Sequence, residues 1–274
     1  MEHNKAKLDT AVNEIYDRLF CAKDRNKEQI CWDSLIQQEI DKAVREQCVP
    51  EYITDSVEER YYSKLFAQLK RGAFLQNCKD LYILEIGSGF GILSYYFHKA
   101  GAHCTLVDKS QFALSYSRLV FEKTPIAQNE MKQRVDFVEA NCEQLPLADN
   151  KYDLVCSMGL IEHSHVDAGA VLTESVRVAK TGGKIVFGVP NYFSPEALSI
   201  WYKFGKGTEK YLRKKILEGL YKQHGLVNVF SEASTFFFPY FTPRYIVERL
   251  SFLENFLGKT LRMGFLNITF GTKI

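Results

Sequence analysis

Between residues 81 and 190 the sequence alternates short apolar runs with stretches of helical periodicity, and this alternation constrains the fold more than any other feature. The apolar runs predict strands at 82–86, 103–107, 134–139, 152–157 and 184–189, with helices between them. Gly101 and the Gly182-Gly183 pair supply helix stops or turns. Strands separated by helices pair in parallel, through crossovers whose hand is fixed by the right-handed twist of the strands. The predicted core is therefore α/β, a doubly wound and mostly parallel sheet. A strand from Leu226 and a closing strand over 265–273 bring the count to seven, and helices are predicted over 209–223 and 243–257.

The first 80 residues carry no strand alternation. Ile36, Ile40, Ala43 and Val44 recur at helical spacing, as do Val57, Tyr61, Leu65 and Leu69 behind Ser56. These apolar faces, with Tyr62 and Phe66, need a surface to pack against. Residues 1–80 are read as an N-terminal helical cap over the carboxyl ends of the strands, and residues 81–274 as the main domain, with aromatic-rich C-terminal insertions at about 191–222 and 236–258.

Composition narrows the class. Hydrophobic residues make up 46% and charged residues 25%, which excludes wholesale disorder and rod-like repeats. No long uncharged apolar stretch is present and no apolar signal segment follows Met1, so a cytoplasmic protein without integral membrane association is expected. The net charge of +2 argues against a nucleic-acid partner. Residues 200–274 hold 12 basic and 5 acidic side chains, read as a solvated helix face, with an anionic acceptor or surface as the alternative. The seven cysteines are scattered without Cys-x-x-Cys spacing, so neither a disulfide framework nor a metal site is expected.

The segment Leu84-Glu85-Ile86-Gly87-Ser88-Gly89-Phe90-Gly91 forms a glycine-rich turn between the first strand and the first helix of the sheet. Without Cβ atoms the backbone bends sharply and lets a ligand approach the amides at the helix N-terminus. In a doubly wound sheet such a turn lies at the carboxyl ends of the strands, where ligands bind. The dinucleotide spacing Gly-x-Gly-x-x-Gly would require glycine at 92, where the chain has Ile92.

Glu85-x-Gly87-x-Gly89-x-Gly91 resembles the first motif of the class I S-adenosylmethionine-dependent methyltransferases. The resemblance continues, in the family's order, through Asp108, Asn141-Cys142-Glu143-Gln144-Leu145-Pro146, Tyr152-Asp153-Leu154-Val155 and Leu160-Ile161-Glu162-His163. It implies a Rossmann-like fold, S-adenosyl-L-methionine as cofactor, and cofactor contacts from Glu85, Gly87, Gly89, Gly91, Asp108, Asn141, Cys142, Leu145 and Met158. Asp108 would accept from both ribose hydroxyls, the alternative being a helix N-cap. Glu85 would fix the glycine turn or merely cap it. Asn141 replaces the family's more usual aspartate and would accept from the adenine amino group without charge assistance. Cys142 would offer its backbone amide and Leu145 its side chain to the adenine ring, the alternatives being a loop turn and core packing.

Methyl transfer is an in-line displacement, so the protein must align an acceptor lone pair and exclude water. His163, followed by His165, is the candidate general base, with a packing histidine as the alternative. Ser157-Met158-Gly159-Leu160-Ile161-Glu162 lacks the Asp/Asn-Pro-Pro-aromatic pattern of enzymes that methylate base amino groups. Trp201, Tyr202 and Phe204, with Phe236, Phe237, Phe238, Tyr240 and Phe241, line an acceptor pocket or form the core of the C-terminal region. The expected function is methyl transfer to O, N or C of a small organic acceptor. A protein, RNA or lipid/quinone acceptor, and a non-catalytic cofactor-binding or regulatory module, are the alternatives, and a homodimer is compatible with either.

Overall fold

A computed structural model describes residues 56–123, 134–194, 197–198, 209–234 and 261–274. Within them the chain runs α1 (Ser56–Gly72), β1 (Tyr82–Ile86), α2 (Ile92–Lys99), β2 (His103–Asp108), α3 (Gln111–Lys123), β3 (Val135–Glu139), β4 (Tyr152–Met158), α4 (Ala168–Val178), β5 (Ala179–Pro190), α5 (Lys214–Gln223), β6 (Val227–Ala233) and β7 (Leu266–Thr272). The seven strands form one sheet in the order β3-β2-β1-β4-β5-β7-β6. Pairing is parallel from β3 to β5, and β7 enters antiparallel between β5 and β6. Because β1 lies between β2 and β4, the crossovers turn in opposite directions on either side of it, and a crevice opens at the carboxyl ends of β1 and β4.

The two-residue period of the strands divides the core into two layers. Ile83, Cys104, Leu106, Leu154, Cys156, Val186, Ile268 and Phe270 face α1, α2 and α3. Leu84, Ile86, Val107, Val155, Ile185 and Phe187 face the opposite side, where Val171, Leu172, Leu217 and Tyr221 from α4 and α5 cover them. Glu85 stands between Leu84 and Ile86 in sequence and so shares the face of Ile83, under α2. Position in the strand alone thus directs this carboxyl inward.

The 56–72 part of the segment read as a cap is a layer helix. Tyr61, Leu65 and Leu69 of α1 are buried in the first layer, and the Phe66 ring stands 5.0 Å from Phe97 of α2. Gln68 Nε2 donates to Ala233 O at 3.0 Å and to Glu232 Oε1 at 2.8 Å. Gly72 lies against the Phe270 ring, where an added Cβ would fall 2.3 Å from Cζ. Ala233 pairs with Asn267 and so with Val189, near the carboxyl end of β5, whereas Phe270 pairs with Val186 further down the strand. Helix α1 therefore runs away from the rim that carries the strand ends. Residues 1–55 of the expected cap, the helix expected over 243–257 and the aromatic clusters at 201–204 and 236–241 lie outside the described residues.

Two expectations change. Gly182 and Gly183 do not end a helix but sit within β5, where Gly182 N donates to Lys273 O and Lys273 N to Gly183 O. The register to β4 slips there, and a Cβ on Gly183 would meet Lys180 O at 2.7 Å, so the glycine pair lets the strand bulge without leaving the sheet. The helix expected over 209–223 begins at Lys214, because Glu209 forms a β-bridge with His163 and Arg213 keeps an extended backbone.

Candidate active site

The glycine turn is pinned to the neighbouring strand. Gly87 N and Ser88 N both donate to Val107 O, at 2.8 and 3.0 Å. All three glycines have left-handed backbones, with φ of 67° at Gly87, 51° at Gly89 and 70° at Gly91, but their surroundings differ. A Cβ on Gly91 would meet Leu106 Cδ2 at 2.5 Å, and one on Gly87 would meet Leu160 at 3.1 Å. A Cβ on Gly89 would meet no heavy atom of the described residues within 4 Å. Gly91 and Gly87 are glycines because protein fills the space, while Gly89 faces open space at the N-terminus of α2.

Glu85 holds this turn from below. Its Oε2 accepts from Ser94 N at 3.0 Å and from Ser94 Oγ at 2.5 Å, so the carboxyl anchors the first turn of α2. Burial pushes it up to about 7, against the Ser94 hydrogen bonds and with help from Asp108. The carboxyl thus ties the end of β1 to the start of α2.

Asp108 closes β2. Its Oδ2 accepts from Gly89 N and its Oδ1 from Ser110 N, each at 2.9 Å. The cap of α3 is Ser110, whose Oγ accepts from Ala113 N at 3.2 Å. The helix-capping alternative for Asp108 is thereby filled by another residue. Each Asp108 oxygen spends one lone pair on a loop amide and keeps the other for a further donor.

The loop after β3 is tied to both neighbours. Ala140 N donates to Asp108 O, and Asn141 Oδ1 accepts from Glu143 N at 3.1 Å in a local turn that leaves the residue exposed. Burial, followed by Glu143, raises the Cys142 thiol to about 11, so this cysteine is a thiol and no nucleophile near neutral pH. Leu145 is 5% exposed and packs in the second layer, and its amide donates to Glu174 Oε2 at 2.7 Å. Arg177 of α4 clamps the rest of the loop, donating to Leu145 O, Leu147 O, Asp149 and Glu174. Sequence reasoning misses this clamp; its only local trace is the Glu174/Arg177 pair one turn apart.

After β4 the chain turns at Gly159, with φ of 75°. Met158 packs against Gly188, where a Cβ would stand 2.5 Å from Sδ. Leu160 reaches across to Gly87, and His163 stacks on His165 with ring centroids 5.6 Å apart. His165 Nε2 lies 3.5 Å from Lys109 Nζ, which joins this loop to the end of β2. Burial, then the Lys109 cation, holds His163 below the usual histidine range, against its hydrogen bond with the Gly159 backbone. His163 is therefore neutral at pH 7, as a general base requires.

Residues 84–187 match a family model described as a methyltransferase domain. The chain carries a class I S-adenosylmethionine-dependent methyltransferase domain. Among curated proteins it is 32% identical over 111 residues to a ubiquinone biosynthesis O-methyltransferase of Aromatoleum aromaticum, covering 40% of this chain and 44% of that protein. It is 31% identical over 108 residues to the ubiquinone/menaquinone biosynthesis C-methyltransferase UbiE of Bartonella bacilliformis, covering 38% and 39%. The chain thus matches about two fifths of the length of these relatives. The crystal structure of geranyl diphosphate C-methyltransferase from Streptomyces coelicolor, a complex with S-adenosyl-L-homocysteine, superposes with a TM-score of 0.56 at 17% identity, over 80% of this chain and 83% of that one.

The methyltransferase domain has room and polarity for the family's cofactor. The open face of Gly89, the spare lone pairs of Asp108 and the buried Ser88 Oγ, which has no hydrogen-bond partner among the described residues, adjoin one another at the turn. No helix of the described residues is long and apolar enough to cross a membrane, and no group of three or more His, Cys, Asp or Glu among them could hold a metal ion.

Proposed function

We propose that this methyltransferase domain transfers a methyl group from S-adenosylmethionine to a small organic acceptor, and that a phenolic or quinol-type ring is the acceptor that fits best. The observation that carries the reading is His163, a neutral histidine held beside the Gly159 turn and joined through Leu160 to the glycine turn. Both curated relatives are named for methylation in quinone biosynthesis, one at oxygen and one at carbon, which supports a ring acceptor.

When bound, the cofactor supplies an electrophilic methyl group on a sulfonium. Asp108 would hold the ribose hydroxyls, the Gly89 edge of the turn would lie along the nucleoside and methionine portions, and Asn141 and the Cys142 amide would meet the adenine. His163 removes the proton of an attacking hydroxyl, which raises the nucleophilicity of its oxygen; a neutral phenol is a weak nucleophile and its anion a strong one. Glu85 and Arg177 do no chemistry but fix the turn and the adenine loop.

The test is incubation of the full chain with methyl-labelled S-adenosylmethionine and a panel of catechols, quinols, amines and cell extract, followed by mass spectrometry. The expected result is S-adenosylhomocysteine formed in equal amount with a labelled phenolic ether or ring-methylated product. Cofactor binding without turnover on any acceptor would favour a regulatory module.

A further inference from the structure

Glu162 is a buried carboxyl that the preceding reaction leaves without a task. Its side chain is 3% exposed, and Oε2 has no hydrogen-bond partner among the described residues. A buried polar atom of this kind is costly to leave unsatisfied, so its presence in an otherwise well-paired loop points to a partner that arrives from outside.

The surroundings say what kind of partner. On one side the segment at 209–211 is strapped to the loop: Glu209 forms a β-bridge with His163, and Lys210 N donates to Glu162 O at 2.6 Å. Tyr192 donates its hydroxyl to Glu209 Oε2 at 3.2 Å and stacks on Tyr211 with ring centroids 4.5 Å apart. That tyrosine proton is committed to Glu209, and the Lys210 ammonium is committed to Val166 O. On the other side stands Gly159, exposed and without a side chain, where a Cβ would lie 3.6 Å from Glu162 Oε1. On this side the loop sets only a glycine, with no side chain, against the buried carboxyl, toward the end of β4, where Leu160 of the same loop meets Gly87.

We propose that Glu162 is an acceptor-binding residue, whose Oε2 donates a hydrogen bond to an oxygen of the methyl acceptor neighbouring the atom that is methylated. This rests on the methyl-transfer reading and narrows it to acceptors with two adjacent oxygens, such as a vicinal diol on an aromatic ring. The groups that act on Glu162 are Glu209 and Tyr192 from the C-terminal side, with Tyr211 stacked on Tyr192. Burial, with Glu209 adding to it and the residue's own backbone N–H opposing, raises the carboxyl to about 8. Glu162 thus keeps its proton at neutral pH and acts as a neutral donor. A neutral donor suits an acceptor oxygen that gains negative charge when His163 takes the neighbouring proton, whereas an ammonium acceptor would require the ionised form. No bond to Glu162 forms or breaks, and its proton stays in place.

The experiment measures binding of 3,4-dihydroxybenzaldehyde to the full chain saturated with S-adenosylhomocysteine, by calorimetry, for the wild type, Glu162→Gln and Glu162→Leu. Glutamine keeps both shape and a neutral donor and is expected to bind the probe within about threefold of wild type, while leucine loses about tenfold or more. Affinity for S-adenosylhomocysteine stays unchanged in both, which a merely structural role would not produce. If the leucine variant does not fold, Glu162→Asp serves instead, with an acid too short to reach and an expected loss of about fivefold. Equal binding by wild type and the leucine or aspartate variant overturns the proposal, as does a glutamine variant as weak as leucine, or a wild type that takes S-adenosylhomocysteine but not the probe. Failure to bind S-adenosylhomocysteine at all would overturn the methyl-transfer reading instead.

Discussion

Replacing Gly89 and Gly91 by alanine, one at a time, separates a glycine kept open for a ligand from one kept for packing. Both have left-handed backbones, at φ of 51° and 70°, so each alanine carries a strain of about 1–2 kcal/mol. At Gly89 nothing further is added, because no atom of the described residues lies within 4 Å of the new methyl. At Gly91 the methyl would stand 2.5 Å from Leu106 Cδ2 and 2.9 Å from Ser117 Oγ. Both neighbours are fully buried, and Ser117 Oγ is held by Gly89 O and Ala113 O, so neither can retreat without breaking other contacts. Overpacking of this kind costs about 1–3 kcal/mol. The totals are about 1–2 kcal/mol for Gly89→Ala and about 2–5 kcal/mol for Gly91→Ala, or falls in melting temperature of about 2–8 °C and 4–20 °C. Thermal unfolding followed by circular dichroism, with titration of S-adenosylhomocysteine into the folded fraction, reads both quantities. Gly89→Ala is expected to remain folded and to lose about tenfold or more in S-adenosylhomocysteine affinity, because its methyl occupies the space left for the ligand. A Gly91→Ala chain as stable as Gly89→Ala, or a Gly89→Ala chain with wild-type affinity, would refute the division of roles.

Asp108→Ala removes the acceptors for Gly89 N and Ser110 N as well as those for the ribose, and calorimetry is expected to register a loss of about tenfold or more in cofactor affinity in a chain that still folds, since Ser110 keeps the cap of α3. His163→Ala is expected to reduce turnover about 10²- to 10⁴-fold with cofactor affinity unchanged. Because the folded imidazole lies below its ordinary 6.5, the half-point of the fall in wild-type rate on acidification should lie below pH 6.5, where the base becomes protonated; an acid limb centred at pH 7 would contradict the assignment. Glu85 and Glu162 keep their protons to about 7 and about 8 in the folded chain but release them near 4.5 when unfolded. The folded state then binds more protons across that window, so stability falls as pH rises through it, and Glu162→Gln flattens the upper part of the decline in melting temperature. Removal of residues 1–55 is expected to lower methyl transfer more than S-adenosylhomocysteine affinity, since α1 joins the fold from the rim that carries the site; full turnover by the shortened chain would exclude a capping role.

Much of the site is legible in the chain because it is local. The glycine turn, Asp108 and the loop at 141–145 each follow a strand whose apolar run is plain, and a doubly wound order brings such ends together. Less legible is what a side chain does once there. Glu85 reads as a ligand to the turn, yet the alternation of β1 sends it under α2 to Ser94. Leu145 is drawn into the core by Glu174, 29 residues away, through a bond that no spacing rule announces. Glu162 looks like an ordinary charged loop residue until Glu209 and Tyr192 are laid over it. The non-helical run at 209–213 carries the same mixture of Lys, Arg and Leu that marks an exposed helix, but Glu209 bridges to His163 and Lys210 N donates to Glu162 O. In β5 the Gly182-Gly183 pair reads as a terminator because glycine usually punctuates, whereas two hydrogen bonds to Lys273 carry the strand through.

The seating of α1 has a consequence for how the chain is made. Its Gly72 end rests on Phe270, 198 residues later, and Gln68 on Ala233, while β6 has no strand to pair with until β7 enters beside β5. At a synthesis rate of about 5–20 residues per second, that surface waits roughly 10–40 s on the ribosome before its partner emerges. During translation the nascent chain therefore presents an uncovered apolar patch next to an unfinished sheet edge, and its yield in a cell should depend on chaperone supply and on growth temperature well before it depends on anything at the glycine turn.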